Sequence, residues 1–375
     1  MVARSAQPHR SLDWRAMAPI SFARGAPAPE CLPVGELADC ARGALERDGV
    51  TALSYGPGGG YGPLREWLAE RHGVDAERVL LTNGGMQGLV FLARHLLRDG
   101  GRVLVEGPTY DRPLKVLAEL GADVVALPMD DEGLEPAAVE EALAAGPAPA
   151  FLYTIPTFQN PSGRTLSEPR RRALVELARE RGLLVVEDDP YGLVRFEGIA
   201  PPTLHELAGG EGVVYASSFS KTVAPGVRVG YVVLPAELAV AVEAAAVANT
   251  ISPVLLAQAT VWEFVRRGSF EPNLERVRGL LRERRDAMLA ALERELGGRA
   301  RWSRPEGGYF LWLDLPQGTD AAELLSRAEA AGVTFVPGSD FFAGGRGGHS
   351  SARLAYSYAS PGEIGEGVGR LASLL

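Results

Sequence analysis

The chain has 375 residues, 46% of them hydrophobic and 23% charged, and carries a formal net charge of −9. This length is sufficient for two domains that share a large apolar core, and the negative charge argues against a nucleic-acid partner. No apolar run approaches the roughly 20 residues of a membrane helix, and residues 1–14 lack the apolar block of a secretory signal. We therefore expect no membrane partner.

Cysteine and lysine are both rare in this sequence. Cys31 and Cys40 are the only cysteines, so we expect neither a disulfide framework nor a zinc site, and a cytoplasmic location fits. Among 38 basic residues, only Lys115 and Lys221 are lysines. Because arginine stays protonated and cannot form a Schiff base, any chemistry that needs a neutral amine has two candidates.

From residue 62 to residue 235, short apolar runs alternate with helical patterns. In chain order we predict a helix over 62–73, a strand over 78–84, an apolar helix through Leu96, a strand over 102–108, a helix ending near Leu120, strands over 123–128 and 149–157, a helix over 167–182, and strands over 183–189, 212–218 and 227–235. Alternating strands and helices, with strands that are apolar nearly throughout, predict an α/β sheet covered on both faces.

The pattern changes after about residue 250. One long amphipathic helix is predicted over 274–296, and short strands and helices follow, including a helix that begins at Asp320 and a strand within 351–360. No repeat or low-complexity linker separates the two regions. The second region therefore indicates an α+β domain.

The segment SSFSKTVAPGVRVGY (217–231) places Lys221 directly after a predicted strand. Ser218, Ser220 and Arg228 accompany it, and two hydroxyls with a guanidinium suit a phosphate group. A lysine amine condenses with an aldehyde when burial or a nearby cation lowers its pKa. On its own, the segment is equally consistent with a surface lysine in a polar loop.

The strand over 183–189 ends in three carboxylates, Glu187, Asp188 and Asp189, with Tyr191 three residues after Asp188. The carboxyl edge of an α/β sheet is where ligands bind, and an aspartate there can hold a pyridine nitrogen protonated. The alternatives are a solvated acidic turn and a metal site. Since no histidines accompany the carboxylates, we expect no metal.

Three other strand ends carry candidate ligand contacts. Asn160 precedes Pro161, which predicts an exposed turn whose amide could bond a phenolate oxygen. Gly84 and Gly85 lie where a strand enters a helix, and they would allow close approach of a phosphate to the helix N-terminus. Tyr110 follows the strand over 102–108 and could stack on a flat cofactor. An ordinary turn, a glycine connection and a core tyrosine are the respective alternatives.

Arg353 lies inside an otherwise apolar strand of the second region. A buried arginine needs an anionic partner, and its planar fork suits a carboxylate. The alternative is an internal ion pair with an aspartate or glutamate.

Taken together, these motifs resemble fold-type I pyridoxal-phosphate aminotransferases of class I/II. The matching segments are YGPGGGYGPLR, TNGGMQG, EGPTY, QNPSGR, EDDPY, SSFSK with Arg228, and ARLAYSY, and they are most similar to the 2-aminoadipate/kynurenine aminotransferase branch. The resemblance implies a large cofactor-binding domain over 45–270, with a mostly parallel sheet covered by helices. Residues 1–44 and 271–375 would form a smaller α+β domain, and pyridoxal 5′-phosphate would be the cofactor.

The resemblance also implies roles for individual residues. Lys221 would hold the cofactor as a Schiff base and move protons, and Asp188 would pair with the ring nitrogen. The ring would further contact Tyr191, Asn160 and Tyr110. The phosphate would be bound by Gly85, Met86, Ser218, Ser220 and Arg228, and by Tyr55 from the second subunit of a homodimer. The substrate would be bound by Arg353 at its α-carboxylate, and by Asn160, Gly25 and Arg24.

Three functions follow from these expectations. The first is transfer of an amino group from an L-amino acid to a 2-oxo acid, with 2-oxoglutarate as the expected acceptor, by a ping-pong mechanism. The second is a pyridoxal-phosphate lyase or cyclising synthase acting on an amino acid. The third is a non-catalytic effector sensor, which the lack of a basic helix-turn-helix segment and the presence of Arg353 disfavour. Arg24, with Arg10 or Arg15, would favour an acidic donor, and nearby Tyr and Trp residues an aromatic one.

Overall fold

The computed structural model describes residues 19–98 and 100–375. Its helices are α1 Val34–Leu53, α2 Gly62–His72, α3 Gly85–Leu96, α4 Asp111–Glu119, α5 Pro136–Ala144, α6 Glu168–Arg181, α7 Leu204–Leu207, α8 Ala236–Thr250, α9 Leu255–Arg266, α10 Phe270–Leu296, α11 Ala321–Ala330 and α12 Pro361–Ala372. Its strands are β1 Ile20–Ser21, β2 Val79–Thr82, β3 Arg102–Gly107, β4 Asp123–Asp130, β5 Gly133–Leu134, β6 Phe151–Thr154, β7 Val185–Asp188, β8 Val213–Ser218, β9 Gly230–Val233, β10 Arg301–Trp302, β11 Phe310–Asp314, β12 Val333–Thr334, β13 Val336–Pro337 and β14 Ser351–Ala355.

The large domain is built on an eight-stranded sheet with the order β2-β9-β8-β7-β6-β3-β4-β5. The neighbours from β8 to β4 run parallel, whereas β9 is antiparallel to both β8 and β2. Alternate residues pack on opposite faces: Phe151 and Tyr153 of β6 join one apolar cluster, and Leu152 joins another. Burial on both faces explains the nearly continuous apolar strands, and the predicted mostly parallel, helix-covered sheet is confirmed.

The segments predicted to contact a ligand lie together at one edge of this sheet. The parallel strands β3, β6, β7 and β8 all end there, β2 ends there at Thr82, and β9 begins there at Gly230. The connection from β2 to α3 passes close to Gly230, where a side chain would collide with the backbone of Gly84 and Gly85. Glycine at residue 230 therefore allows the N-terminus of α3 to lie against β9.

The small domain contains a four-stranded antiparallel sheet with the order β10-β11-β14-β13, and β1 pairs with β12. Its core lies between this sheet and the helices α10, α11 and α12. The long helix α10 was predicted from residue 274 and begins four residues earlier. In the described part of the chain, no helix is long and apolar enough to cross a membrane.

The helix α1 bears on the predicted domain boundaries. The boundary between residues 44 and 45 falls inside α1, and its residues Cys40, Ala44 and Ala52 are buried in a single apolar cluster of the large domain. Cutting there would expose part of that cluster, so we propose moving this boundary to residue 33. The second predicted boundary falls at the start of α10, whose first turns pack on the large domain and whose later turns pack on the small one.

Candidate active site

A cavity of about 230 Å³ opens at the shared edge of the large sheet. Most of the residues predicted to bind a cofactor line it: Gly85, Met86, Tyr110, Asn160, Asp188, Tyr191, Ser218, Ser220, Lys221 and Arg228. They come from the ends of six different strands, which explains why the sequence scatters them over more than 140 positions.

Lys221 is the amine of this cavity. Its Nζ donates a hydrogen bond to the carbonyl of Gly25 at 2.7 Å and lies 4.9 Å from the centre of the Tyr309 ring. Burial, together with the positive charges of Arg353 and Arg228, lowers the pKa of Lys221 to about 8. A substantial neutral fraction near pH 8 makes this amine able to attack an aldehyde.

The three carboxylates that end β7 have different surroundings. Glu187 accepts hydrogen bonds from two backbone N–H groups at the start of α7, at 3.0 and 2.9 Å. Asp189 accepts from the backbone N–H of Gly192 at 2.7 Å and from the hydroxyl of Tyr215 at 3.1 Å. Of the three, Asp188 alone lines the cavity.

Asp188 accepts a hydrogen bond from the hydroxyl of Tyr153 at 2.6 Å. Burial raises the pKa of Asp188 to about 6, the hydrogen bond from Tyr153 opposes this shift, and the neighbouring charge of Asp189 adds to it. A cationic ring nitrogen beside this carboxylate would stabilise its charged form. Sequence reasoning missed Tyr153, because a tyrosine inside an apolar strand has no signal that separates it from a core residue.

An anion site lies at the N-terminus of α3. The hydroxyl of Ser218 donates to that of Ser220 at 2.8 Å, and Arg228 donates to Ser220 at 3.4 Å and to the carbonyl of Asn83 at 3.1 Å. Gly85 begins the helix, so its N–H group has no partner within the helix. Hydroxyls, a guanidinium and a helix N-terminus together are a donor set for a phosphate group.

Asn160 is buried, with 3% of its surface exposed, so the predicted exposed turn is wrong. Its Oδ1 accepts a hydrogen bond from Nη1 of Arg353 at 3.0 Å, across the junction between the domains. The small domain covers the turn at this point. The prediction from Pro161 that residue 160 is not helical is correct, but the burial of Asn160 depends on its long-range contact with Arg353.

Arg353 lies in β14 and is itself buried. Besides Asn160 it contacts the carbonyl of Ala23 at 2.8 Å, and its guanidinium lies 4.2 Å from the ring centre of Phe310 and 4.9 Å from that of Phe341. No carboxylate within residues 19–98 and 100–375 forms an ion pair with it, and its Nε has no partner there. The internal ion pair considered as an alternative is thus not found, and this buried cation suits an external carboxylate.

The aromatic side chains Tyr110 and Tyr191 border the cavity as predicted. Tyr110 directly precedes α4, and Tyr191 lies with its ring centre 5.7 Å from Nζ of Lys221. Burial raises the pKa of both hydroxyls. Both tyrosines therefore stay protonated at neutral pH and can donate a hydrogen bond.

The remaining predicted contacts lie outside the cavity. Gly25 touches it only through its carbonyl, and a side chain at this position would collide with the ring of Phe310. Arg24 is exposed and lies over the ring of Tyr358 at 4.3 Å. Tyr55 is 84% exposed and does not approach the cavity of its own chain. Arg10 and Arg15 lie outside the described residues.

A larger cavity of about 740 Å³ lies on another side of the domain junction. It has three arginines in its lining, Arg164, Arg195 and Arg304, and each pairs with a carboxylate, namely Asp131, Glu306 and Glu293. It contains no lysine and none of the predicted site residues. The smaller cavity therefore holds the reactive groups.

The chain belongs to the aminotransferase class I and II family, which it matches over residues 32–371. It is 42% identical to the 2-aminoadipate transaminase of Thermus thermophilus, over 95% of this chain and 90% of that protein. It is 36% identical to aromatic-amino-acid aminotransferase 1 of Thermococcus litoralis, over 95% and 88% of the two chains.

A solved structure agrees with the fold and contains a bound pyridoxyl phosphate compound. It is the alpha-aminoadipate aminotransferase of Thermus thermophilus, complexed with N-(5′-phosphopyridoxyl)-L-leucine. The TM-score is 0.90 at 41% identity, covering 95% of this chain and 92% of that one. This protein is therefore a pyridoxal-phosphate-dependent aminotransferase of fold type I, as predicted.

Proposed function

We propose that the protein moves the amino group of an L-amino acid to a 2-oxo acid, with 2-oxoglutarate as acceptor, in the cavity around Lys221. The observation that carries the proposal is the buried guanidinium of Arg353. It has no carboxylate partner in the described chain and contacts Asn160, which lines the same cavity as Lys221. An amino acid presents a carboxylate that Arg353 would bind and an amine that would take the place of Lys221 at the cofactor, so these two points define its orientation.

We propose the following roles for the residues of the cavity. Bound pyridoxal phosphate supplies an aldehyde that takes up the amino group and a ring that accepts electrons as the α-proton leaves. Lys221 holds this aldehyde between turnovers and then carries the proton at its Nζ, for which a pKa of about 8 is suited. Asp188 keeps the ring nitrogen protonated. Tyr191, Asn160 and Tyr110 hold the ring in place.

The phosphate of the cofactor would be held by the anion site at α3. This set consists of the hydroxyls of Ser218 and Ser220, the guanidinium of Arg228 and the backbone of Gly85 and Met86. This set offers one cation and several neutral donors and contains no carboxylate, so it can bind a doubly charged phosphate and offset part of its charge. Binding there would fix the ring between Asp188 and Lys221.

Arg353→Lys is expected to raise KM for every amino donor by roughly 10- to 100-fold, because the ammonium keeps the charge but loses the two-pronged hydrogen bond. Steady-state kinetics with an acidic, an aromatic and an aliphatic donor test this. Arg285→Lys is a matched control, since Arg285 is also a buried arginine over an aromatic ring, that of Phe196, but lies outside the cavity. If only one donor class is affected, Arg353 recognises the side chain instead of the α-carboxylate.

We further propose a homodimer with shared active sites. Val50, Leu53, Tyr55, Ile251 and Val254 are apolar or aromatic side chains that are more than half exposed. Exposed apolar surface of this kind suits a subunit interface.

This surface borders the anion site. The backbone N–H of Val254 donates to Oδ1 of Asn83 at 3.0 Å, and Asn83 directly precedes the glycines at the start of α3. A second copy docked here would bring its own Tyr55 towards that phosphate site. A two-fold axis would make the two sites equivalent.

Mixed dimers test this arrangement. Lys221→Ala homodimers should be inactive and Tyr55→Phe homodimers impaired. In a heterodimer of the two variants, the site with an intact lysine receives Tyr55 from the other chain, so activity per intact lysine should return to the wild-type level. If the heterodimer stays as impaired as the Tyr55→Phe homodimer, the tyrosine acts within its own chain.

The amino donor is best identified by a panel of amino acids. The named donors of the relatives make 2-aminoadipate and the aromatic amino acids the first candidates. Absorbance should show conversion of the cofactor from its aldehyde to its amine form, together with release of the matching 2-oxo acid. Release of ammonia or of a cyclic product would instead support a lyase or a cyclising synthase.

We also propose a cytoplasmic location and no nucleic-acid partner. Cys31 and Cys40 are both buried and unpaired thiols, which suits a reducing compartment. The net charge of −9 disfavours binding to a polyanion.

A further inference from the structure

Glu106 is a buried carboxylate at the end of β3 to which no role has been assigned so far. Only 2% of its surface is exposed. Its Oε1 accepts a hydrogen bond from the hydroxyl of Thr154 at 2.5 Å, and its Oε2 accepts from Nε2 of Gln159 at 2.9 Å. The backbone N–H of Ile155 points at both oxygens, at 3.2 and 3.1 Å. Every donor comes from the end of β6 or from the turn that follows it.

Gln159 connects this carboxylate to the active site. Its Nε2 also donates to the carbonyl of Pro108 at 2.7 Å, and its Oε1 accepts from the backbone N–H of Ser162 at 2.9 Å. Gln159 itself is 1% exposed, and the next residue in the chain is Asn160. The amide nitrogen of Gln159 is therefore anchored to Glu106 and Pro108, and its amide oxygen is anchored to Ser162, two residues after Asn160.

A carboxylate is a costly group for this position. Burial raises the pKa of Glu106 to about 7, its three hydrogen-bond donors oppose the shift, and the negative charge of Asp188 adds to it. A hydrocarbon side chain would avoid the desolvation cost, so general stability does not account for a glutamate here. The carboxylate does supply acceptor positions for three converging donors, which an apolar residue lacks.

We propose that Glu106 is a positioning residue that holds Gln159 and thereby fixes the orientation of Asn160. Asn160 and Arg353 would then bind the substrate's α-carboxylate together. The inference rests on the roles proposed above for these two residues. No hydrogen bond joins Asn160 to Glu106, so the effect passes through the turn over 159–163. In this turn, Gly163 also donates from its backbone to the carbonyl of Gln159 at 2.6 Å.

Glu106→Leu leaves the donors of Thr154, Ile155 and Gln159 without an acceptor. We expect KM for all amino donors to rise about tenfold or more, while kcat at saturating cofactor changes less than about threefold. Hydrogen exchange of the backbone amides over 155–163, measured by mass spectrometry on the holoenzyme and on the cofactor-free protein, should become faster. Exchange does not depend on the reaction, so it separates failure of this inference from failure of the proposed function.

Glu187→Leu is the matched control. Glu187 is also a fully buried glutamate near the end of another strand of the same sheet, and burial raises its pKa to about 7 as well. Its partners, however, are the backbone N–H groups of α7 and the buried guanidinium of Arg171 at 3.8 Å, and neither lines the cavity. This variant should lose stability and keep the wild-type KM. Because Arg171 also donates to the carbonyl of Pro156 and to the hydroxyl of Thr157, the two variants are compared over 159–163, where exchange in Glu187→Leu should stay unchanged.

Two further variants keep the inference testable if Glu106→Leu does not fold. Glu106→Gln should restore KM to within about threefold of wild type, because its amide can donate to the Thr154 hydroxyl while its oxygen accepts from Gln159. Gln159→Met leaves the carboxylate satisfied by Thr154 and Ile155 but removes the link to the turn, and should reproduce the KM and exchange effects. Wild-type KM and exchange in Gln159→Met would overturn the inference, as would equal KM effects of the Glu106→Leu and Glu187→Leu variants.

Discussion

Lys221→Ala is expected to lower turnover by about 10⁴-fold or more, because the variant loses both the attachment point of the cofactor and the group that moves the α-proton. The measurement is single-turnover conversion of a saturating amino donor with added cofactor. Addition of a small amine should restore part of the rate, since a diffusible base replaces the lost proton carrier.

Lys115→Ala is the control for this variant. Lys115 is the other lysine in the chain, and it lies on the surface with its side chain 64% exposed, paired with Asp111 at 3.2 Å. Its replacement should leave turnover unchanged, because exposed pairs of this kind contribute little. Substantial turnover in Lys221→Ala, with loss of turnover in Lys115→Ala, would show that Lys115 and not Lys221 carries the chemistry.

Asp188→Asn is expected to keep the cofactor bound but to lower turnover by several orders of magnitude. A neutral amide cannot hold the ring nitrogen protonated, and breaking a buried charge pair costs about 3–5 kcal/mol. If this cost falls on the transition state, it corresponds to roughly 10²- to 10⁴-fold in rate. Steady-state kinetics, with cofactor content measured by absorbance, test this expectation.

The neighbouring carboxylate is the control for Asp188. Asp189→Asn keeps an acceptor for the Gly192 backbone and places an amide donor opposite the Tyr215 hydroxyl, whose oxygen can accept from it. Its side chain does not line the cavity. It should change turnover far less than Asp188→Asn. Near-normal turnover in Asp188→Asn, with loss in Asp189→Asn, would exchange the two roles.

The sequence predicted the fold and most of the site because both depend on local patterns. Apolar runs followed by short polar segments mark strands that end at one sheet edge, and Asp188, Ser218 and Lys221 all lie at such ends. Parallel strands then bring these ends together whatever their distance along the chain. The rarity of lysine further narrowed the choice of amine.

Features that depend on contacts between distant segments were not predictable from local patterns. Asn160 is buried because Arg353, 193 positions further on, covers it. Tyr153 and Glu106 lie in strands where a single polar residue has no periodic signal, and their partners become apparent only when β3, β6 and β7 lie side by side. The boundary that we propose at residue 33 was not apparent in the sequence, because α1 is long and its apolar face is recognisable only against α9.

Two of the sequence-based roles stay predictions for reasons of geometry. Tyr55 is exposed and does not line the cavity of its own chain, so its predicted role requires a second subunit. Arg24 lies over Tyr358 at the surface, and its predicted part in substrate binding would require a movement of the segment near Gly25.

The central claim is that Lys221 carries the cofactor, and borohydride reduction of the holoenzyme tests it most directly. Reduction makes the bond between the cofactor and its lysine permanent, and peptide mapping by mass spectrometry then locates the pyridoxyl group. We predict that it is found on the peptide containing Lys221, in near-equal amount to the protein, and that prior addition of a good amino donor prevents the labelling. A pyridoxyl group on Lys115, or labelling that persists after an amino donor is added, would contradict the assignment of Lys221.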